Sequence, residues 1–324
     1  MKYSLLVTQW IPEELREKFS ASFDFFCPTK QQISFTEEQL AELLPQCDGI
    51  FAVDTGVTKE MIDAAKRLRF ITNHGVGYDA IDVAYATKKG IPVINTPHSV
   101  TESTAELAIA LMMSLMRQIV PYDARVREDR WCAGAFYDLL GVEIFGKRLG
   151  IAGFGRIGRA VCRRAQALGM TVSYYNRHRL PLEEEQRLGV TYLPWEELLR
   201  QSDCLSLHMP LTPENYHLMD RQAFSLMKPT AYLINTARGA VVDEDAMLWA
   251  LENGVIAGAG LDVFEGEPAV KEGIKACHKA VLTPHVGTQT YGVRIQMCTE
   301  ALQGALDVMQ GRPTDQLVNP EILG

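Results

Sequence analysis

The sequence predicts an α/β protein made of two doubly wound parallel-sheet domains. Three observations carry this reading. Short apolar strands alternate with helical stretches, the alternation runs twice along the chain, and a long apolar helix separates the two series. Tyr3–Thr8 opens the first series as a β run, and Pro12–Phe19 follows as a short helix opened by proline. Gly49–Val53 is then a strand, Lys59–Arg67 a helix, Phe70–Asn73 a strand and Val93–Asn95 another. From Thr101 to Arg117 the pattern changes: Thr101-Glu102-Ser103-Thr104 reads as a cap, and the helix after it is apolar nearly all round. Such a helix suits a position between two domains.

The second series starts at Arg148-Leu149-Gly150-Ile151-Ala152. Its further strands are expected at Thr171–Tyr175, Cys204–His208, Ala231–Asn235, Gly258–Asp262 and Ala280–Thr283. Thr290 to Gln310 is a closing helix, stopped by Gly311 and Pro313. The order implies an insertion. Residues 1–99 and 289–324 form one domain, into which 100–288 is inserted as the second.

Composition narrows the function. A chain of 324 residues gives each of two domains enough length to bury a core, and 47% hydrophobic with 22% charged residues argues against disorder. The formal net charge of −8 gives no general attraction to nucleic acid or to an anionic membrane, so neither is expected as a partner. Cys27, Cys47, Cys132, Cys162, Cys204, Cys277 and Cys298 are scattered and never spaced as a metal or redox pair. They read as reduced thiols, and no metal is expected. The apolar run Leu107–Met116 is too short to span a bilayer, and the N-terminus starts directly as a strand, so the expected location is the cytoplasm.

Gly153-Phe154-Gly155-Arg156-Ile157-Gly158 is a GxGxxG sequence between an apolar strand and a helix expected from Arg159 to Leu168. In that setting it is a dinucleotide-binding turn. The first glycine allows the turn, the second admits the pyrophosphate, the third lets helix pack on strand, and the helix N-terminus faces the anion. After the next strand comes Asn176-Arg177-His178-Arg179, where an NAD site would place a carboxylate. Asn176 tolerates a ribose 2′-phosphate, and Arg177 and Arg179 can pair with one, so NADP(H) is preferred without excluding NAD(H).

Three strand ends each bring ionisable chemistry: Asn235-Thr236-Ala237-Arg238-Gly239, Leu261-Asp262 through Glu267-Pro268, and Thr283-Pro284-His285-Val286-Gly287. Reduction of a keto acid needs a cation for the carboxylate and a proton donor for the carbonyl oxygen. Arg238 supplies the first and His285 the second. Glu267, hydrogen-bonded to that imidazole, would favour its protonated form.

These stretches, with Gly75-Val76-Gly77-Tyr78-Asp79, Asn95-Thr96-Pro97 and Thr101 to Glu106, resemble the D-isomer-specific 2-hydroxyacid dehydrogenase family over nearly the whole chain. The resemblance implies a Rossmann cofactor domain inserted into a flavodoxin-like substrate domain, and a homodimer. It implies Arg238, Glu267 and His285 as catalytic residues, and Val76 and Gly77 with Arg238 as the holders of the substrate carboxylate. Thr104, Gly153, Gly155, Arg156, Ile157, Gly158, Asn176, Arg177, Arg179, Thr236, Asp262, His285 and Gly287 are the implied cofactor contacts, with Asp262 near the nicotinamide amide. Closure of two domains would then assemble the site and exclude water. Within the family the Asn176-Arg177 pattern is similar to that of glyoxylate and hydroxypyruvate reductases. Asp54 stands where phosphoglycerate enzymes tend to carry arginine, which points to an unphosphorylated 2-keto or 2-hydroxy acid, as does the absence of a regulatory extension after the last helix. Trp131 and Phe136 either reach a partner subunit or pack in the core. The alternatives are a non-catalytic, cofactor-sensing co-repressor-like protein, a 3-phosphoglycerate-type dehydrogenase, and an enzyme for another donor such as formate or phosphite.

Overall fold

The structure, a computed structural model, describes residues 2–131 and 139–323. Phe136 lies outside the described residues. The chain divides into two compact units: Met1–Val100 with Thr288–Gly324, and Thr101–Gly287.

The first unit holds strands β1 (Tyr3–Val7), β2 (Phe23–Phe26), β3 (Gly49–Ala52), β4 (Phe70–Asn73) and β5 (Val93–Ile94) in the order β2-β1-β3-β4-β5. Every pairing is parallel, and this is the flavodoxin-like order. Alternate residues of a strand point to opposite faces, so a sheet covered on both sides needs near-continuous apolar strands. Leu5, Val7, Phe51 and Phe70 face one core, which takes Cys298, Ala301, Leu302 and Ala305 from the helix Tyr291–Met309. Leu6, Ile50, Ala52, Ile71 and Val93 face the other, against Ile62, Ala65 and Ala86. The closing helix therefore belongs to the first sheet despite a separation of about two hundred residues. Thr72 fixes it further, donating its hydroxyl to the Ala301 carbonyl at 2.9 Å. β2 escapes a reading of the sequence because it is a short edge strand interrupted by exposed Asp24, with only Phe23 fully buried.

The second unit holds β6 (Arg148–Ala152), β7 (Thr171–Tyr175), β8 (Val190–Tyr192), β9 (Cys204–Leu207), β10 (Tyr232–Asn235), β11 (Gly258–Leu261) and β12 (Ala280–Leu282). Their order is β12-β11-β10-β9-β6-β7-β8, parallel throughout, and strand order reverses between β6 and β9. That is the doubly wound dinucleotide-binding arrangement, whose ligand crevice lies outside the carboxyl ends of the strands at the reversal. β8 is another edge strand that three residues of pattern do not reveal.

The helix Thr101–Met116 buries Ala105, Ala108, Leu111, Met112, Leu115 and Met116 within this unit. Thr101-Glu102-Ser103-Thr104 is its first turn and not a cap preceding it. A second helix, Ile119–Arg127, follows after two residues. Among the described residues no single helix is long and apolar enough to cross a membrane. Trp131 is 78% exposed, which removes it from any core of the described chain.

Candidate active site

The glycine turn leaves β6 at Gly153, whose φ of +93° is a left-handed value that a side chain disfavours. A Cβ there would also lie 2.6 Å from the carbonyl carbon of His208, at the end of β9. Gly158 carries the second close contact: a Cβ on it would stand 2.3 Å from the Gly153 carbonyl oxygen. Gly155 faces open space and caps the helix Arg156–Ala167. That helix starts three residues earlier than the sequence suggests, so Arg156, Ile157 and Gly158 form its first turn, whose N–H groups have no intrahelical acceptor to point to. A pyrophosphate fits these residues: bare glycine backbone, and a twelve-residue helix with its N-terminus at the crevice.

The segment after β7 differs from what its charges suggest. Asn176 Oδ1 accepts the Phe154 N–H at 2.6 Å, so its side chain ties β7 to the glycine turn. Arg179 already has an acidic partner. Its Nε and Nη2 donate to the two oxygens of Glu185 at 2.8 Å, and its guanidinium lies over the Tyr192 ring. Glu185 also accepts the Tyr174 hydroxyl at 2.7 Å. The bond with Arg179 outweighs burial and holds the Glu185 carboxyl below the usual carboxylate range. Arg177 has only a loose neighbour in Glu214, 4.0 Å away, and its side chain is 71% exposed.

At the other side of the reversal, Asn235 shapes the turn that presents Arg238. Its Oδ1 accepts the Ala237 N–H at 3.0 Å, and its Nδ2 donates to the Arg238 carbonyl at 2.9 Å. Asp262, 2% exposed, acts as a brace. Its Oδ1 accepts the Thr283 hydroxyl at 2.6 Å and the Val286 N–H at 2.8 Å, and its Oδ2 the Gly287 N–H at 2.9 Å. Burial raises its pKa against those bonds. The brace has a function, because His285 sits between the braced residues at φ +54°, a strained value for a side chain other than glycine.

His285 Nδ1 lies 2.7 Å from Glu267 Oε2, while Glu267 Oε1 accepts the Phe264 N–H at 2.8 Å. The Glu267 hydrogen bond pushes the His285 pKa above its ordinary value, opposed by burial and by the Arg238 charge. Burial pushes Glu267 upward, but the bonds from His285 and Phe264 and the charges of His285 and Arg238 leave it lowered. The expected guanidinium, carboxylate and imidazole thus interact at the ends of β10, β11 and β12. Thr236 and Gly287 lie there too, and a Cβ on Gly287 would be 3.4 Å from Thr104 Oγ1. The sequence reading missed His208. Its ring bonds Ser206 Oγ through Nε2 at 2.8 Å and faces Thr236 Oγ1 at 3.5 Å, and burial holds it neutral with a pKa of about 3. Leu207-His208-Met209-Pro210, at the end of an apolar strand, was the available signal.

In the first unit, Gly75-Val76-Gly77 forms a loop whose carbonyls are tied back. Gly75 O accepts from Thr96 N and Asn73 Nδ2, Val76 O from Asn95 Nδ2, and Gly77 O from Asn73 Nδ2, at 2.6–3.0 Å. The Val76 side is exposed, and among the described residues no acceptor takes the Val76 or Gly77 N–H. A peptide loop in that state presents donors to an anion. Asp54 is not a lone carboxylate: it lies 3.5 Å from Arg294 Nη1, which also faces His74 Nδ1 at 3.3 Å. Its repulsion of a phosphorylated substrate is correspondingly weakened.

Residues 109–287 match the family described as D-isomer specific 2-hydroxyacid dehydrogenase, NAD binding domain. A glyoxylate reductase of Thermococcus litoralis is 41% identical over 100% of this chain and 98% of its own length. The crystal structure of a glyoxylate reductase from Paecilomyes thermophila superimposes with a TM-score of 0.87 at 34% identity, covering 99% of each chain. An NADPH-dependent glyoxylate/hydroxypyruvate reductase from Sinorhizobium meliloti, in complex with NADP and malonate, gives 0.86 at 31% identity over 98% of this chain and 97% of that one. With its glycine turn at the strand reversal, the family match over residues 109–287 and a full-length relative at 41% identity, this chain belongs to the D-isomer-specific 2-hydroxyacid dehydrogenase family and is an NAD(P)-dependent oxidoreductase.

Proposed function

We propose that this protein reduces a small unphosphorylated 2-keto acid, of the glyoxylate or hydroxypyruvate kind, to the D-2-hydroxy acid with NADPH. The observation that carries the reading is the 2.7 Å bond between Glu267 and His285, with the Arg238 charge bearing on both. Arg238 pairs with the substrate carboxylate and polarises the adjacent carbonyl. The N–H groups of Val76 and Gly77 hold the same carboxylate. His285, protonated, keeps its Nδ1–H on Glu267 and gives the Nε2 proton to the carbonyl oxygen. Bound NADPH supplies the hydride to the carbonyl carbon. Asp262 keeps the imidazole in its left-handed turn while the proton leaves.

Gly153, Gly155, Arg156, Ile157 and Gly158 would hold the pyrophosphate, and Thr104, Thr236, Asp262, His285 and Gly287 would line the nicotinamide end. Asn176 and Arg177 favour NADPH, since no carboxylate side chain stands at either position to repel a 2′-phosphate; NAD(H) is accepted less well. The reading places the enzyme in the cytoplasm, in keeping with six free cysteines among the described residues. It also makes the enzyme a homodimer, supported by the exposed Ile119, Val120, Val126, Trp131, Leu140 and Phe145 gathered in one stretch of chain.

The test is a panel of glyoxylate, hydroxypyruvate, pyruvate and 3-phosphohydroxypyruvate with each cofactor, followed by the loss of reduced-nicotinamide absorbance. Turnover of the small unphosphorylated acids with NADPH supports the reading. Tight NADPH binding without turnover anywhere on the panel would replace it with a cofactor-sensing protein.

A further inference from the structure

The Glu267 carboxylate owes its place to a chain of contacts that begins well away from the reacting groups. Phe264 N–H, which holds Glu267 Oε1, belongs to the same stretch of backbone as Glu265. The Glu265 N–H donates to Oε1 of Glu244 at 2.8 Å, a carboxylate only 3% exposed. The Glu265 side chain turns the other way. It accepts the Tyr216 hydroxyl at 2.9 Å, and both its oxygens lie 3.1 Å from His217 Nε2. The two rings stack, with centroids 3.9 Å apart and planes at 17°.

His217 is itself anchored. It adopts φ +52°, and its N–H donates to the Ala240 carbonyl at 2.9 Å, while Met219 N–H donates to Val241 O at 3.0 Å. The turn it joins starts at Gly239, next to Arg238. A Cβ on Gly239 would lie 1.9 Å from the Phe264 carbonyl carbon, so that turn presses directly on the backbone of the Glu267 loop. One connected block therefore carries both Arg238 and Glu267, and Glu265 is the point where His217 and Tyr216 grip it. The grip also answers a charge problem, since the Glu265 carboxylate lies close enough to Glu244 for the two to repel.

We propose that His217 is a positioning residue for the reaction, acting through Glu265 to hold the Phe264–Glu267 backbone so that Glu267 stays hydrogen-bonded to His285. This rests on the reading of His285 as proton donor given above. Loosening the grip lets the Glu267 carboxylate retreat, and His285 loses the partner that favours its charged form. The groups that act on His285 are Glu267, Asp262 and Arg238, and Glu267 is the one that shares its loop with Glu265 and bonds the Phe264 N–H.

The test compares wild type with His217→Phe, which keeps the stacked ring and loses the nitrogen, Glu265→Gln, and Tyr216→Phe as the mildest change. The first readout is NMR titration of the His285 ring in the free protein. Its midpoint is expected to fall by about half a pH unit in His217→Phe and by less in Tyr216→Phe. His217→Gln, which keeps a donor, should restore most of the shift. The second readout is keto-acid reduction, where kcat should fall roughly 3–10-fold with the NADPH Kd unchanged. A His285 midpoint that stays put in both His217→Phe and Glu265→Gln overturns the proposal. So does a kcat loss that tracks weakened cofactor binding, which is the mark of a general loosening. If the wild type reduces no keto acid, the functional reading fails while the titration still decides the role of His217.

Discussion

The seven-stranded sheet has ionisable clusters at two places along its carboxyl edge, one past β7 and one past β10 to β12, and they are wired in opposite ways. Past β7 the chain offers Arg177, His178 and Arg179 in a row, yet Arg179 is locked onto Glu185 and Asn176 is turned inward to the glycine turn. Past β10 to β12 the cationic and anionic groups come from three separated segments and bear on one another, with Asp262 braced behind them. Of the adjacent charges, Arg179 found a structural partner and Arg177 stays exposed. Distant ones were brought together around an opening. Proximity in the chain is thus a poor guide to which charges stay available, because a flexible side chain takes the nearest good counter-ion.

The variants below break or sharpen that contrast. The largest effect belongs to His285→Ala, expected to lower kcat by roughly 10²–10⁴ with NADPH affinity within about twofold. Steady-state kinetics beside calorimetric titration checks this, and near-normal turnover would dissolve the contrast by removing the proton donor. Arg238→Ala should cost about 10²-fold or more in kcat/KM for the keto acid, most of it in KM if the guanidinium chiefly binds the carboxylate.

Glu267→Gln sharpens the electrostatic half. Because the Glu267 bond raises the His285 pKa, reduction by wild type should hold at lower pH and fall as pH rises through that raised value. Removing the carboxylate lowers the His285 pKa, so the fall in kcat/KM should begin at lower pH, with kcat down about tenfold. A pH–rate profile that keeps its basic limb would show that Glu267 does not tune the imidazole.

The smallest effects lie past β7, and their difference is the point. Arg177→Ala should weaken NADPH binding about tenfold and leave NADH nearly unchanged, as loss of one charge-assisted contact. Arg179→Ala should leave NADPH within about twofold, since its guanidinium is held by Glu185. Equal losses of NADPH affinity in the two variants would mean that Arg179 leaves Glu185 when a 2′-phosphate arrives. Asn176→Asp should favour NADH, measured as the ratio of the two dissociation constants.

Much of this was legible in the residues. Gly153, Gly155 and Gly158 between an apolar strand and a helix specify their turn through backbone sterics that operate over six residues. The strands with apolar residues on both faces, such as Leu5-Leu6-Val7 and Leu233-Ile234, announce a covered parallel sheet for a similarly local reason. Less legible were β2 and β8, edge strands whose pairing on one side only demands little of their sequence. The cap expected at Thr101–Thr104 was also displaced, since a helix packed by Ala105, Ala108 and Leu111 extends through its first turn regardless of a capping preference.

By itself, then, the sequence determined the two doubly wound sheets and the glycine turn, and it singled out Arg238, Glu267 and His285 as candidates, because each follows from a local pattern or from a residue type that a reaction requires. Tertiary structure alone decided that Arg179 is engaged, that Asp54 has Arg294 beside it, and that His208 joins Ser206 and Thr236. It also decided that Glu265 is gripped from a loop about fifty residues earlier. Arg179 and Glu185 are only six residues apart and His208 and Ser206 only two, but the other pairs meet because strands and loops far apart in the chain are packed side by side. Hydrogen-bond partners are chosen within about 3 Å of space and not along the sequence.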